Sequence, residues 1–392
     1  MQEKGLAEEE VLAKLDQRLK NDMRYFNGKI LSSMCSEPLD ISKKAYQIAL
    51  GRNLGDKSLF PDSADLEKEV VSMLGHLLSN PNAAGHIVSG GTEANIMALW
   101  IAKKQNKDER NEVILPTSAH YSFETAADIL GLKLVQIPLT DEFKIDIPKV
   151  ITALNRKTLV IVGVAGSTGL GVVDPIPKLS DISLEYGVHL HIDAAFGGFV
   201  LPFLKDLALY EGGFDFESPG VKSITIDPHK MGLCPIPAGG ILFRDESLLS
   251  TIGKSVSYIG SGRVKLTTLS GTRPAAPAIA VWAAMKSLGR SGYRTIVEKC
   301  INNTTFFCKQ LEKLEGVRLI VKPTMNIVGF TCLEVSNKMV IDKLLEKGWT
   351  LSLFPTHIRA VIMPHTDAYH LKKFISDLNS VLVSLKKTKI FF

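Results

Sequence analysis

Between about residue 65 and residue 290 the chain alternates helical stretches with seven short apolar runs: "GHIVSGG", "NEVILPTS", "KLVQIPL", "TLVIVGVAG", "VHLHIDAAF", "SITIDPHK" and "GGILFRD". Several runs are β-branched, and most end in Gly, Ser, Thr or Asp. Strands separated by helices cannot pair as simple hairpins, so the pattern predicts an α/β fold with a mainly parallel sheet covered on both faces. In an open sheet of this kind ligands sit at the carboxyl ends of the strands, where the polar residues of these runs fall. The motifs are therefore expected to converge in space. After "SLGRSGYRTIVEKC" the pattern changes to a helix, "VRLIVKPTMNIVGFTCLEV", a second helix, "HIRAVIMPH" and a last helix, which reads as a smaller α/β lobe from about residue 290. Ahead of the sheet, Leu6, Val11, Leu12, Leu15 and Leu19 lie at helical spacing and predict an amphipathic leading helix that packs on something larger.

Bulk properties exclude several classes. A chain of 392 residues with 45% hydrophobic and 22% charged residues has the make-up of an ordinary globular protein. Lys plus Arg number 46 against 41 Asp plus Glu, too small a surplus over this length to imply a nucleic-acid surface. The charged start "MQEKGLAEEEVLAKLDQRLK" lacks the apolar centre of a signal peptide, and no stretch is apolar long enough to span a bilayer. Cys35, Cys234, Cys300, Cys308 and Cys332 form no CxxC pair and read as reduced thiols, so a cytoplasmic protein without membrane or nucleic-acid partners is expected.

Three motifs carry chemistry. In "VSGGTEANIMALW" two glycines and Thr92 precede a strongly helical run, and the free amides of a helix start bind phosphate through their N–H groups and the helix dipole. A plain turn capped by Thr92 accounts for the same letters. In "HLHIDAAFGG", His189, His191 and Asp193 share one face of a strand. A metal triad there would spread over about 13 Å at about 3.3 Å per residue, too far for one ion, so no metal is expected. Asp193 followed by Ala194 and Ala195 suits another task. A carboxylate at a strand end can hold a proton on a heteroaromatic nitrogen, and small side chains leave room for a flat ring. In "SITIDPHKMG" a strand stops at Pro228 and delivers Lys230 into a glycine-containing turn. A lysine beside a cationic ring has a depressed pKa and condenses with an aldehyde. A surface lysine after a turn is the bland alternative, outweighed by the order of phosphate cradle, ring carboxylate and lysine at three strand ends.

Together "SGGTEAN", "HIDAAFGG" and "DPHKMG" resemble the group II pyridoxal-phosphate amino-acid decarboxylases, and the likeness is closest to the archaeal L-tyrosine/L-aspartate decarboxylases. It extends over almost the whole chain through "MQEKG", "SMCSEPL", "NLGDKSLF", "GTRPAA" and "VIMPH". The resemblance implies the fold type I (aspartate aminotransferase-like) architecture: a large domain with a mainly parallel seven-stranded sheet and a smaller C-terminal α/β domain. It divides the chain into a helical segment 1–50 packing on a dimer, a cofactor domain 51–288 and a small domain 289–392.

The resemblance also implies roles. Lys230 carries pyridoxal 5'-phosphate, Asp193 pairs with the pyridine nitrogen, Ala195 lies under the ring, and His120 in "SAHYSF" stacks on its other face. Gly91 and Thr92 bind the phosphate, helped by His229, and Thr168 in "GSTGLGVVD" contacts the cofactor. Gly271 and Thr272 in "LSGTRPAA" reach a neighbouring subunit's phosphate across a two-fold axis, so a homodimer with shared sites is implied. Arg359 in "HIRAVIMPH" grips the substrate carboxylate, and Tyr258 in "SVSYIGSGRVKLTT" protonates Cα. Asp227 stands where many relatives have Asn or Ser. A carboxylate repels phosphate, so Asp227 is left out of the phosphate set.

The implied reaction is decarboxylation of an L-amino acid, either tyrosine to tyramine for methanofuran or aspartate to β-alanine for coenzyme A. For the side chain, Arg263, Arg273 and Lys265 are candidates to meet a carboxylate, and Phe60, Met34 and Tyr121 to line an aromatic site, with tyrosine read slightly ahead. Two alternatives stay open: a sphingosine-phosphate-lyase-type enzyme that splits a carbon–carbon bond, and a non-catalytic protein that uses the glycine loops to bind nucleotide.

Overall fold

The computed structural model describes residues 1–106, 109–257 and 264–389. Tyr258 and Arg263 therefore lie outside the described residues. All seven predicted runs are strands: β1 (Ala84–Val88), β2 (Glu112–Pro116), β3 (Lys133–Ile137), β4 (Thr158–Val164), β5 (His189–Asp193), β6 (Val221–Ile226) and β7 (Gly239–Phe243). They form one sheet in the order β1-β7-β6-β5-β4-β2-β3. β3, β2, β4, β5 and β6 are parallel, and β7 runs antiparallel to both of its neighbours. β6 reaches β7 through a loop with no helix, and its path returns the chain antiparallel. Register sets Val164 beside Asp193 and Asp193 beside Thr225, so the carboxyl ends of β4, β5 and β6 open on one place.

Helices cover both faces of the sheet. On β4, Ile161 packs in the core that contains Ile176 and Leu179 of the helix Ile176–Tyr186, while Val160 and Val162 face Leu99 and Phe123 on the other side. This two-sided burial explains why the run reads as continuously apolar. Gly163 is needed where the first helix crosses, because a Cβ there would stand 2.5 Å from Ile176 Cδ1.

In the C-terminal region the run "VRLIVKPTMNIVGFTCLEV" divides into two antiparallel strands. An antiparallel pair, β8 (Lys254–Val256) with β9 (Val264–Leu266), precedes it. The small sheet then contains β10 (Val317–Leu319), β11 (Ile327–Cys332), β12 (Ser352–Leu353) and β13 (Ile358–Val361) in the order β10-β11-β13-β12. β12, two residues long, carries no pattern that a sequence reading can detect. Phe307, Phe330, Trp349 and Phe374 fill a core of its own. The helix Ala276–Leu311 joins the two cores and breaks at Gly289, whose φ of 57° is the left-handed conformation that glycine adopts without strain.

The leading helix forms over Glu8–Leu19, but none of its residues is buried. Val11, Leu12, Leu15 and Leu19 are each about half exposed, so within one chain its apolar face covers nothing.

Candidate active site

A cavity of about 360 Å³ opens at the carboxyl ends of β4, β5 and β6, beside the start of the helix Gly91–Gln105. Its wall brings together Gly91, Thr92, His120, Thr168, Asp193, Ala195, His229 and Lys230 from five separate chain segments. Each of these was singled out from sequence. Asp193 is the last residue of β5, and Lys230 stands in the turn after β6.

Asp193 is almost fully buried. Its Oδ1 accepts the Ala195 backbone N–H at 3.1 Å, and its Oδ2 accepts from Asn95 Nδ2 at 3.2 Å. Asn95 is one helical turn beyond Gly91, which places it behind the cradle and against β5. The sequence reading did not use it, although the four-residue spacing inside "GGTEAN" puts the two positions on one helix face.

Lys230 Nζ lies 3.0 Å from Asp227 Oδ2. Burial alone lowers the pKa of an ammonium, but here the Asp227 and Asp193 carboxylates outweigh it and raise the lysine above its ordinary value. The sequence reading expected a depressed pKa. That depression requires the positive charge of a ring, and the chain alone supplies only carboxylates. Asp227 is itself part of the wall, and its buried Oδ1 has no hydrogen-bond partner. His229 Nδ1 accepts the Ala238 N–H at 3.2 Å, so in the neutral ring the proton sits on Nε2, the nitrogen that faces Asp227 at 3.6 Å. Burial lowers the His229 pKa and favours that neutral form.

His120 follows β2 and receives the Ser122 N–H on Nδ1 at 3.3 Å; burial lowers its pKa as well. The Thr168 carbonyl accepts from Arg359 Nη1 at 2.9 Å. Arg359 thus stands behind Thr168 and is absent from the residues lining the cavity. Its Nη2 donates to the Ser32 carbonyl and, at 2.7 Å, to Ser352 Oγ, while its buried Nε has no partner. No carboxylate pairs with it among the described residues, and burial brings its pKa down to about 10, so it stays cationic at neutral pH.

Other predicted residues fall elsewhere. Gly271 and Thr272 are exposed and do not reach this chain's own cavity. Arg273, a candidate for a substrate carboxylate, is buried and committed to Glu67, which it meets with two nitrogens at 2.7 and 3.0 Å. Of the aromatic-site candidates Met34 lines the cavity, whereas Phe60 does not and Tyr121 is 64% exposed. Tyr258 and Arg263 are outside the described residues.

The residues present fit a phosphorylated pyridine aldehyde. A Cβ added at Gly91 would come within 3.0 Å of Asp227 Oδ2, and one at Gly90 within 3.3 Å of His229 Cε1, so a side chain at either position would crowd the helix start. The first bond within that helix is from Ala94 N–H to the Gly90 carbonyl, which leaves the earlier amides for an anion. Across the cavity an amine, a buried carboxylate and an imidazole stand ready for the aldehyde, the ring nitrogen and the ring face.

Comparison with known proteins agrees with this arrangement. The family described as "Pyridoxal-dependent decarboxylase conserved domain" matches residues 47–333. The chain is 46% identical over 379 residues to L-aspartate decarboxylase of Thermococcus kodakarensis, covering 97% of this chain and 98% of that one. It is 43% identical over 387 residues to a probable L-tyrosine/L-aspartate decarboxylase of Methanosphaera stadtmanae, covering 97% and 99%. Among solved structures, a sphingosine-1-phosphate lyase of Burkholderia pseudomallei superposes with a TM-score of 0.92 at 26% identity, covering 100% of this chain and 94% of that one. With the sheet, the cavity and the family pattern in agreement, the chain belongs to the pyridoxal-dependent decarboxylases of fold type I, enzymes that work with pyridoxal phosphate.

Proposed function

We propose that this protein decarboxylates L-aspartate to β-alanine, with L-tyrosine as the second substrate to be tested. The observation that carries the reaction class is the meeting of Lys230, Asp193, His120 and the Gly91 helix start in one cavity. Aspartate is put first because Phe60 and Tyr121, two of the three residues read from sequence as an aromatic site, are absent from the wall. The relatives named for aspartate alone support the same choice.

In this reading the cofactor supplies an electron sink for the carbanion. Gly91, Thr92 and His229 hold its phosphate; Ala195 and His120 bracket its ring; Thr168 contacts it; Asp193 keeps a proton on the ring nitrogen. The Lys230 amine would hold the cofactor through its aldehyde. Arg359 would orient the substrate's α-carboxylate, and orientation of this kind selects which bond breaks. Tyr258 returns a proton to Cα.

We further propose a homodimer in the cytoplasm. The exposed Gly271 and Thr272 and the uncovered apolar face of Glu8–Leu19 support a second copy, with segment 1–50 packing across it, residues 51–288 forming the cofactor domain and 289–392 the small domain. No described helix is long and apolar enough to cross a membrane.

The test is incubation of purified protein and pyridoxal phosphate with each of the twenty amino acids, with carbon dioxide and amine products measured. β-Alanine from aspartate is expected, and its absence with Lys230→Ala. Tyramine in excess would move the assignment to tyrosine. Aldehyde from a sphingoid-base phosphate without carbon dioxide release would favour the lyase reading.

A further inference from the structure

Behind Asp193 a line of polar side chains is buried in the sheet. Asn95 Nδ2 meets Asp193 Oδ2 at 3.2 Å, Asn95 Oδ1 meets His191 Nε2 at 3.0 Å, His191 Nδ1 meets Ser223 Oγ at 2.9 Å, and Ser223 Oγ meets His189 Nε2 at 2.8 Å. His191 and Ser223 have no solvent exposure, Asn95 1%, and His189 9%.

The direction of every bond follows from one fixed point. An ionised carboxylate only accepts, so the Asn95 group facing Asp193 must be its NH₂. The other NH₂ hydrogen reaches Ser122 Oγ at 2.9 Å, and Asn95 Oδ1 then faces His191 and also accepts from the Thr225 hydroxyl at 2.7 Å. An amide oxygen cannot donate, so His191 carries its proton on Nε2. Its bare Nδ1 takes the single Ser223 hydroxyl proton, which leaves Ser223 Oγ to accept from His189 Nε2–H. Both rings are neutral on this account, in keeping with burial that pushes each pKa down to about 3.

We propose that Asn95, His191, Ser223 and His189 are positioning residues, a one-way chain of N–H and O–H donors that ends on Asp193 and holds its carboxylate ionised and turned toward the ring nitrogen. Each dipole presents its positive end to the carboxylate, and hydrogen bonds aligned in series polarise one another in a low-dielectric interior. The chain also explains why "HLHID" carries two histidines with no metal role: they are neutral links of fixed tautomer. An amide does not pass protons along, so the chain stabilises charge without conducting it. The inference rests on the assignment of Asp193 to the ring nitrogen.

The holoenzyme tests it by nitrogen NMR. With ¹⁵N-histidine, His189 and His191 are expected as neutral Nε2–H tautomers between pH 6 and 8; a cationic or Nδ1–H His191 overturns the chain, with no variant needed. With ¹⁵N in the cofactor ring, Asn95→Leu should move the nitrogen signal from its protonated toward its neutral position and weaken cofactor binding about tenfold, the loss of one charge-assisted bond. Asp193→Asn serves as the control. If it weakens binding and shifts the signal while Asn95→Leu does neither, the chain is refuted and the role of Asp193 stands. If neither variant has an effect, the assignment of Asp193 fails and the chain with it.

Discussion

Glu67→Gln tests how the segment bearing Gly271 and Thr272 is held. Glu67 is buried and accepts from Arg273 Nη1 at 2.7 Å, Arg273 Nη2 at 3.0 Å and the Ile87 N–H at 3.0 Å, with His86 Nδ1 at 3.4 Å. Arg273 also donates to the Ile87 carbonyl at 2.7 Å, and its own N–H reaches Asn53 Oδ1 at 3.1 Å. Gln keeps the shape and one acceptor but removes the charge, leaving the guanidinium buried and unpaired. Breaking a buried pair from one side costs about 3–5 kcal/mol. With an m-value of about 3 kcal/mol per M, the urea midpoint should fall by about 1 M or more. Burial alone would raise the Glu67 pKa, yet Arg273 and His86 hold it well below the usual carboxylate range. A depressed carboxyl stabilises the fold above its unfolded pKa, near 4.5, and loses that contribution as the pH falls below it. The gap between wild type and Glu67→Gln should therefore be full at pH 7 and narrow below about pH 4.5. A loss under about 1 kcal/mol, the range of an exposed pair, would refute the reasoning. The double variant Glu67→Met with Arg273→Met should recover most of the loss, because no unpaired charge remains.

Arg359→Met should lower kcat/KM by about 100-fold in the decarboxylation assay, and an unchanged value would remove it from the substrate site. Mixed Lys230→Ala and Thr272→Ala subunits, each inactive alone, should regain partial activity if Thr272 serves the partner's cofactor; no recovery counts against shared sites. His189 is neutral in the fold but protonated below about pH 6.5 in the unfolded chain, so its contribution to stability is lost as pH falls from 6.5 toward 3. Asp174, raised by burial to about 6, acts in the opposite sense, so the test is a difference. Between pH 6 and 4, unfolding free energy should depend on pH about 1.4 kcal/mol per unit less steeply in His189→Gln than in wild type, measured by urea titration. Parallel curves would contradict the burial argument.

The sequence by itself determined the seven strands, the covering helices and the cluster at Gly91, Asp193 and Lys230, because hydrophobic period and strand-end chemistry are local properties of the chain. It did not disclose that β7 runs antiparallel, since direction depends on the loop's path. Nor did it show that Arg273 is spent on Glu67 and Arg359 stands behind Thr168, or that Asn95 and two histidines line up behind Asp193. Those pairings join residues far apart in the chain, and only packing decides which buried donor meets which acceptor. The apolar face of Glu8–Leu19 was legible as a pattern, but one folded chain leaves it bare, because a pattern states that a face must be covered and never by what.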